Sequence, residues 1–320
     1  MQKLKVTCAE KYVLIDKEFK FDFPVEYTEH HQLNQKQFSE TVKGQNVIII
    51  SDLVVDETVL HNNPDLRLIA LCSTGYNHVD LSLLKKHGVK LCNIRGYAGD
   101  AVAEHAFTLM INLIKNFNAQ VNAIKDDVWA KQNSSFCLAA PMGELKGKTL
   151  TILGKGEIGL SLSEKAKAFG MHVIFSEHMN APICRQGYVP FEEAIMQADV
   201  LSLHCVLNQD TKHIINSSVI SKMKRGSILI NVGRGGLVNT NDVISALNNS
   251  HLAGYGTDVL EEEPPRIDNP LINLQKTNHN VIVTGHIGWA TNEAQQRLFN
   301  ILEDNINKNI QGKDQNLVRQ

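Results

Sequence analysis

The sequence predicts an α/β protein with two doubly wound parallel-sheet domains, and three observations support this fold class. The chain has 320 residues, which is long for one domain and suits two domains of about 100 to 200 residues each. Short β-branched apolar runs alternate with amphipathic stretches, as in βαβ units on a sheet that is buried on both faces. Apolar residues make up 43% of the chain and charged residues 21%, so both domains can bury a core.

The predicted strands fall into two series that are separated by a long helical pattern. The first series comprises residues 46–51, 66–73 and 89–93, with a helix predicted over 79–87. The second series comprises residues 149–153, 172–177, 199–205, 227–232, 252–259 and 280–284. Apolar residues at spacings of three and four predict helices over 101–124, with Asp100 as its N-cap, and over 292–309. A helix at each crossing between the series suggests that one domain is inserted into the other.

Composition and motifs exclude several classes of function. The net charge of -2 and the interleaved charges argue against nucleic-acid binding, which needs a basic stripe. No apolar run approaches the roughly 18 residues of a membrane span, and the N-terminus has no apolar signal region, so we expect a cytoplasmic protein without membrane association. Six scattered cysteines without a CxxC pair fit reduced thiols, and no zinc-like spacing is present, so no metal site is predicted.

A glycine turn marks a candidate dinucleotide site. Residues 150–159 read LTILGKGEIG, in which Gly154, Gly156 and Gly159 have the spacing that lets a turn, a pyrophosphate and a helix approach closely. The next predicted strand ends at Glu177, 18 residues after Gly159, where adenosine ribose hydroxyls are bound. This carboxylate favours NAD over NADP, although Arg185 lies eight residues further on and could reach a phosphate. A chance glycine turn followed by an unrelated acid is the alternative.

Three polar residues follow predicted strands of the second series, at the edge where open α/β sheets bind their ligands. Arg234 follows a strand in NVGRGG, Glu263 lies in GTDVLEEEPP, and His286 ends a strand in NVIVTGHIGW. Each also has a plain structural interpretation. The arginine could form a surface ion pair, the glutamate could be solvated and the histidine could merely be packed.

At these motifs the chain resembles the D-isomer-specific 2-hydroxyacid dehydrogenases, and within them the glycerate dehydrogenase (hydroxypyruvate reductase) branch. The family resemblance spans nearly the whole chain and rests on STGYNHVD, AVAEH, GKGEIG, SLHC, NVGRGGLV, DVLEEEPP and HIGWAT in this order. The branch rests on SSFC near Cys137, the two prolines after Glu263 and GWATNEAQ. The resemblance implies a Rossmann NAD-binding domain, residues 101–287, inserted into a flavodoxin-like substrate domain, residues 1–100 and 288–320.

The resemblance also implies roles for individual residues. His286 would be the general acid/base, Glu263 its partner and Arg234 the substrate anchor, which suits the alkoxide charge that forms when a hydride reaches a ketone. Backbone N–H groups around Thr74, Gly75 and Asn77 would bind the substrate carboxylate. With the glycine turn, the predicted contacts of NAD are Gly154, Gly156, Glu157, Ile158, Gly159, Glu177, Cys205, Val232, Gly233, Asp258 and Gly288.

The implied activity is the interconversion of a small 2-keto acid, hydroxypyruvate or glyoxylate preferred, and its D-2-hydroxy acid with NAD. By resemblance we expect a homodimer, with the apolar helix over 101–124 as a candidate contact. Gly285 and Val206 depart from the family, which commonly has proline there, and the glycine frees the backbone beside the histidine. The alternatives are a phosphoglycerate dehydrogenase-like enzyme and an NAD-sensing corepressor-like binding protein.

Overall fold

The computed structural model describes residues 3–319, which form two compact units. Unit 1 contains residues 3–97 and 290–319, and unit 2 contains residues 98–289. The chain therefore leaves unit 1 once and returns to it after completing unit 2. The predicted bounds of the inserted domain, 101 and 287, differ from the bounds of unit 2 by three and two residues.

Both units contain parallel strands that are short and mostly buried. The strands of unit 1 are β1 (Leu4–Cys8), β2 (Val25–Glu29), β3 (Val47–Ile50), β4 (Leu68–Leu71) and β5 (Lys90–Cys92). The strands of unit 2 are β6 (Thr149–Leu153), β7 (His172–Ser176), β8 (Val200–Leu203), β9 (Ser227–Asn231), β10 (Leu252–Thr257) and β11 (Val281–Val283).

Helices connect the strands in both units. Unit 1 contains α1 (Gln35–Thr41), α2 (Glu57–Asn62), α3 (Leu81–Lys86) and, after the return of the chain, α12 (Asn292–Ile310). Unit 2 contains α4 (Gly99–Ile114), α5 (Phe117–Lys125), α6 (Val128–Lys131), α7 (Glu157–Ala168), α8 (Phe191–Gln197), α9 (Ser217–Ile220), α10 (Thr240–Asn248) and α11 (Pro270–Thr277). Within residues 3–319, none of these helices combines the length and the apolar character that a bilayer crossing requires.

The sheet of unit 1 has the strand order β2-β1-β3-β4-β5, with all neighbours parallel. This is the flavodoxin-like order. The strands β3 and β4 are buried along their whole length, which is why their apolar runs predict them. The sequence prediction missed β1 and β2, and β2 lies at the edge of the sheet with partly exposed, alternating residues.

The sheet of unit 2 has the strand order β11-β10-β9-β8-β6-β7 and is also parallel. A parallel bridge pairs Ser176, at the end of β7, with Val189. The chain at Val189 therefore occupies the position beside β7 that the outer strand has in the Rossmann order. The order reverses between β6 and β8, so the ligand crevice of such a sheet lies at their carboxyl ends. Two parallel-sheet α/β domains confirm the predicted fold class.

The helix predicted over 101–124 is two helices. Asn116 has a left-handed backbone with φ 45° and separates α4 from α5. Asp100 is not the N-cap of α4: that position belongs to Ala98, and Asp100 lies in the first turn, where its carboxylate accepts a hydrogen bond from Ser161 at 2.5 Å. The loop before α4 therefore supplies no side-chain cap, and the helix packs its apolar face into the core of unit 2.

Candidate active site

The glycine turn after β6 has the geometry that a dinucleotide needs. Gly154 has φ 106°, and a Cβ there would lie 2.6 Å from the carbonyl carbon of His204. At Gly159 a Cβ would lie 2.2 Å from the carbonyl oxygen of Gly154, so α7 packs directly on the turn. The space beside Gly156 is open, and the next N–H groups belong to the first turn of α7, a natural anion site. These residues fit the pyrophosphate of NAD.

Glu177 directly follows β7, as predicted, but its carboxylate is already bound within unit 2. Arg185 donates two side-chain N–H groups, at 2.6 and 2.8 Å, and its backbone N–H at 3.0 Å. The backbone N–H of His178 donates at 2.8 Å. The hydrogen bonds from Arg185 lower the pKa of Glu177 to about 2. From the sequence, the glutamate favours NAD and the arginine could bind the extra phosphate of NADP. In the structure the two side chains are hydrogen-bonded to each other.

The other predicted cofactor contacts in unit 2 lie after β8, β9, β10 and β11 or open α7. Cys205 is half-buried, and burial raises the pKa of its thiol to about 11, so the thiol stays neutral. Val232 is buried, and a Cβ on Gly233 would lie 3.4 Å from the carbonyl oxygen of Leu203. Their contact with NAD stays a prediction, as it does for Glu157 and Ile158 in the first turn of α7.

His286 and Glu263 form a hydrogen-bonded pair. Nδ1 of the histidine lies 2.7 Å from Oε2 of the glutamate, whose Oε1 accepts from the backbone N–H of Leu260 at 2.7 Å. The hydrogen bond to Glu263 raises the pKa of His286, against the effect of burial. Burial opposes ionisation of Glu263, but the hydrogen bonds from His286 and Leu260 still lower its pKa. Nε2 of the histidine makes no hydrogen bond within residues 3–319, so it can exchange a proton with a bound molecule.

Arg234 follows β9 in a turn that Asn231 holds. The Asn231 side chain accepts from the N–H of Gly233 at 3.1 Å and donates to the carbonyl of Arg234 at 2.9 Å. The guanidinium donates to the carbonyl of Gly233 at 2.8 Å and forms no ion pair within the described chain. The surface ion pair that was the alternative for this arginine is therefore not formed.

The turn of Arg234 and the loop of Glu263 are in direct backbone contact. A Cβ on Gly235 would lie 2.0 Å from the carbonyl carbon of Leu260, so only glycine allows this approach. The charge of Arg234 acts on both partners of the pair, lowering the pKa of His286 and of Glu263. The structure thus brings together the three residues that the sequence selected.

Asp258 fixes the segment that carries His286. Its carboxylate accepts from the hydroxyl of Thr284 at 2.5 Å and from the N–H groups of Ile287 at 3.0 Å and Gly288 at 2.8 Å. Its carbonyl accepts from the N–H of His286 at 2.8 Å, and the histidine has φ 56°. The sequence assigned Asp258 and Gly288 to the cofactor and missed this positioning role.

His105 is a second residue that sequence reasoning missed. Its Nε2 lies 2.9 Å from the hydroxyl of Thr284 and 3.4 Å from a carboxylate oxygen of Asp258. His105 lies in α4 and thereby connects this helix to the hydrogen-bonded pair of Thr284 and Asp258. The only sequence signal is its place in the AVAEH motif, which carried no assigned role. Within residues 3–319 no group of three or more histidine, cysteine or acidic side chains could hold a metal ion.

Thr74, Gly75 and Asn77 lie in unit 1, in the turn after β4. The side chain of Asn93 donates to the carbonyl of Thr74 at 2.7 Å, and the hydroxyl of Ser73 donates to the carbonyl of Gly75 at 2.8 Å. The backbone N–H groups of the three residues make no hydrogen bond within the described chain. The turn therefore offers donors to an anion.

Comparisons with known proteins show the family to which this chain is similar. The family model described as "D-isomer specific 2-hydroxyacid dehydrogenase, NAD binding domain" matches residues 107–288. A Haemophilus influenzae protein named as a 2-hydroxyacid dehydrogenase is 36% identical over 96% of this chain and 97% of its own. The glycerate dehydrogenase of Methylorubrum extorquens is 35% identical, and the match covers 97% of this chain and 99% of the relative.

A solved structure extends the likeness to both units. The D-lactate dehydrogenase from Aquifex aeolicus, complexed with NAD and lactic acid, matches with a TM-score of 0.76 and 26% identity, over 97% of this chain and 96% of that one. Sequence, fold and site geometry thus lead to one conclusion. This chain belongs to the D-isomer-specific 2-hydroxyacid dehydrogenases and is an NAD-binding oxidoreductase.

Proposed function

We propose that this enzyme reduces a small 2-keto acid, hydroxypyruvate or glyoxylate preferred, to the D-2-hydroxy acid with NADH, and catalyses the reverse reaction. The 2.7 Å hydrogen bond between His286 and Glu263 carries the proposal, together with the nearby charge of Arg234. A proton donor and a fixed cation are the groups that a ketone needs when it gains a hydride. The similarity to a glycerate dehydrogenase supports the substrate class.

Each residue has a defined part in this reaction. NADH, when bound, supplies the hydride. The planar fork of Arg234 binds the substrate carboxylate and the keto oxygen, and the free N–H groups of residues 74, 75 and 77 bind the carboxylate. Nε2 of His286 donates its proton to the keto oxygen as alkoxide charge develops, while Nδ1–H stays bonded to Glu263, which stabilises the charged ring. In the reverse direction, the neutral ring accepts the hydroxyl proton.

A substrate panel tests the proposal. NADH absorbance is followed with hydroxypyruvate, glyoxylate, pyruvate and phosphohydroxypyruvate. We expect the highest kcat/KM for one of the first two compounds. Preference for phosphohydroxypyruvate would instead favour the phosphoglycerate dehydrogenase-like alternative. Tight NADH binding without turnover of any of the four would favour the corepressor-like one.

We further propose that the enzyme is a cytoplasmic homodimer. The six cysteines are free, which suits a reducing compartment. The apolar face of α4 packs into the core of unit 2. We therefore place the dimer contact in the segment that follows, residues 117–142, where Phe136 and Leu138 are 75% and 78% exposed. Light scattering should give the mass of two chains, and Phe136→Ser with Leu138→Ser should give that of one. A monomeric wild type would contradict the proposal.

A further inference from the structure

The carboxylate of Glu177 has no acceptor position left for a ribose. An ionised carboxylate has about four lone-pair sites, and four N–H groups already occupy them, three from Arg185 and one from His178. The side chain of Glu177 is only 3% exposed. A ribose that bound this carboxylate would have to displace the arginine. The group that unit 2 presents to solvent at the end of β7 is therefore Arg185, whose side chain is 52% exposed.

Arg185 is held in place with donors to spare. Its guanidinium carries five N–H groups, of which two bind Glu177. The other three have no acceptor within residues 3–319. The ring of Tyr188 lies under the guanidinium, with 4.2 Å from Cζ to the ring centroid. This support fixes the plane of the guanidinium and leaves the outer N–H groups open to an anion.

A second cation contacts the same aromatic ring as Arg185. Lys155, the residue between the first two glycines of the turn, places Nζ 4.9 Å from the ring centroids of both Tyr188 and Phe175. It forms no ion pair within the described part of the chain. Because Arg185 neutralises Glu177, the three charges sum to +1. The ribose end of the dinucleotide site is thus cationic, although a glutamate stands at the position that usually indicates NAD.

The geometry points to a 2′-phosphate site at Arg185 and Lys155, so that the enzyme binds NADPH as well as NADH. This inference rests on the proposed function, because it assumes that the dinucleotide lies on the glycine turn after β6. A phosphate on the adenosine ribose would accept from the free N–H groups of Arg185 and from the ammonium of Lys155. NADH still binds through its pyrophosphate at the turn. Glu177 acts as a positioning residue that orients the arginine.

Calorimetric titration of the full chain with NADH, NADPH, 5′-AMP and 2′,5′-ADP tests this inference without relying on turnover. The Kd of NADPH should lie within about tenfold of that of NADH, and 2′,5′-ADP should bind more tightly than 5′-AMP. Weaker NADPH binding, by more than about tenfold, would overturn the inference while leaving the proposed function intact. Failure of both dinucleotides to bind would overturn the proposed function as well.

Substitutions assign the effect to the two cations. Arg185→Ala should raise the Kd of NADPH by about tenfold or more, since it removes charge-assisted hydrogen bonds, and should not weaken NADH, because Glu177 regains free acceptors. Lys155→Gln should weaken NADPH several-fold. Lys167→Gln removes the same charge from the far end of α7, roughly 18 Å away, and should change neither Kd.

Thermal unfolding controls for the stability of the variants. Arg185→Ala leaves the enclosed carboxylate of Glu177 with two of its four donors, the backbone N–H groups of residues 178 and 185, so the folding of this variant must be verified. If Arg185→Ala does not unfold cooperatively, the comparison uses Lys155→Gln instead. Nζ of Lys155 contacts only ring faces and the carbonyl of Gly187 within the described chain, so its replacement leaves no buried charge without a partner. If a folded variant of Arg185 or Lys155 keeps the wild-type ratio of the NADPH and NADH Kd values, that residue does not bind the 2′-phosphate.

Discussion

Removal of the charge of Glu263 is the most direct test of the proton-transfer pair. Glu263→Gln keeps the size of the side chain and its ability to accept from His286, but it removes the carboxylate charge. A hydrogen bond between charged partners contributes about 1.5–3 kcal/mol. The side chains of His286 and Glu263 are 43% and 35% exposed, so solvent screening reduces the expected contribution to about 1 kcal/mol. That free energy corresponds to about fivefold in an equilibrium.

The direction follows from the charge states. The carboxylate stabilises the protonated ring and raises the pKa of His286, so its removal lowers that pKa. Reduction of the keto acid needs the protonated ring and is lost as pH rises through the pKa. In Glu263→Gln the loss should begin at lower pH, with kcat/KM about fivefold below wild type on the descending limb and little changed at acidic pH. Oxidation of the hydroxy acid should extend to lower pH.

The assay is kcat/KM for the reduction and the oxidation across pH, with NADH affinity measured on the same protein. Glu262→Gln is the matched control, since it removes the same charge one residue away. It should leave both profiles unchanged. If Glu263→Gln has the wild-type profile in both directions, Glu263 does not set the pKa of the donor, and the proposed pair is refuted.

Three further substitutions test the remaining groups of the site. His286→Ala should lower kcat by about 100-fold or more, with NADH affinity within a few-fold; steady-state kinetics within tenfold of wild type would remove it as the donor. Arg234→Lys keeps the charge but loses the fork, so kcat/KM for the keto acid should fall roughly 10- to 100-fold, equivalent to one charge-assisted bond of about 1.5–3 kcal/mol. Full activity would end its role as anchor. Gly285→Ala should raise the free energy of unfolding by about 0.4–1 kcal/mol, because a Cβ there meets no atom within 4 Å and the residue is not left-handed. Denaturant unfolding measures this, and a loss of stability would show that the site needs glycine.

The strands of unit 2 could be predicted because a parallel sheet buried on both faces leaves apolar runs in the sequence. Each of the six runs corresponds to one strand from β6 to β11, with small differences at the ends. β1 and β2 could not be identified in the same way, since polar residues such as Lys5 and Glu26 interrupt their apolar ones. The break at Asn116 also left no periodicity signal, because apolar spacing continues across it.

Strand ends located the candidate site residues, but the sequence could not show how they pair. Arg185 is eight residues from Glu177, and only the path of the intervening loop decides whether it faces the glutamate or a phosphate. Asp258 bonds to residues 284–288 because β10 and β11 are parallel neighbours, which brings the two strand ends together. Motif spacing records neither fact. Pairing therefore required the structure.

The contact between Gly235 and Leu260 has a consequence for how substrate choice can change in evolution. A side chain at Gly235 would strike the Leu260 carbonyl and would displace Arg234 and Glu263 at the same time. One replacement would therefore disable two functions, and selection should remove it early. The Thr74 turn belongs to the other unit, so a replacement there leaves the contact between Gly235 and Leu260 intact. Descendants that acquire a new 2-keto acid should therefore differ first around residues 74–77 and inherit the proton-transfer groups unchanged.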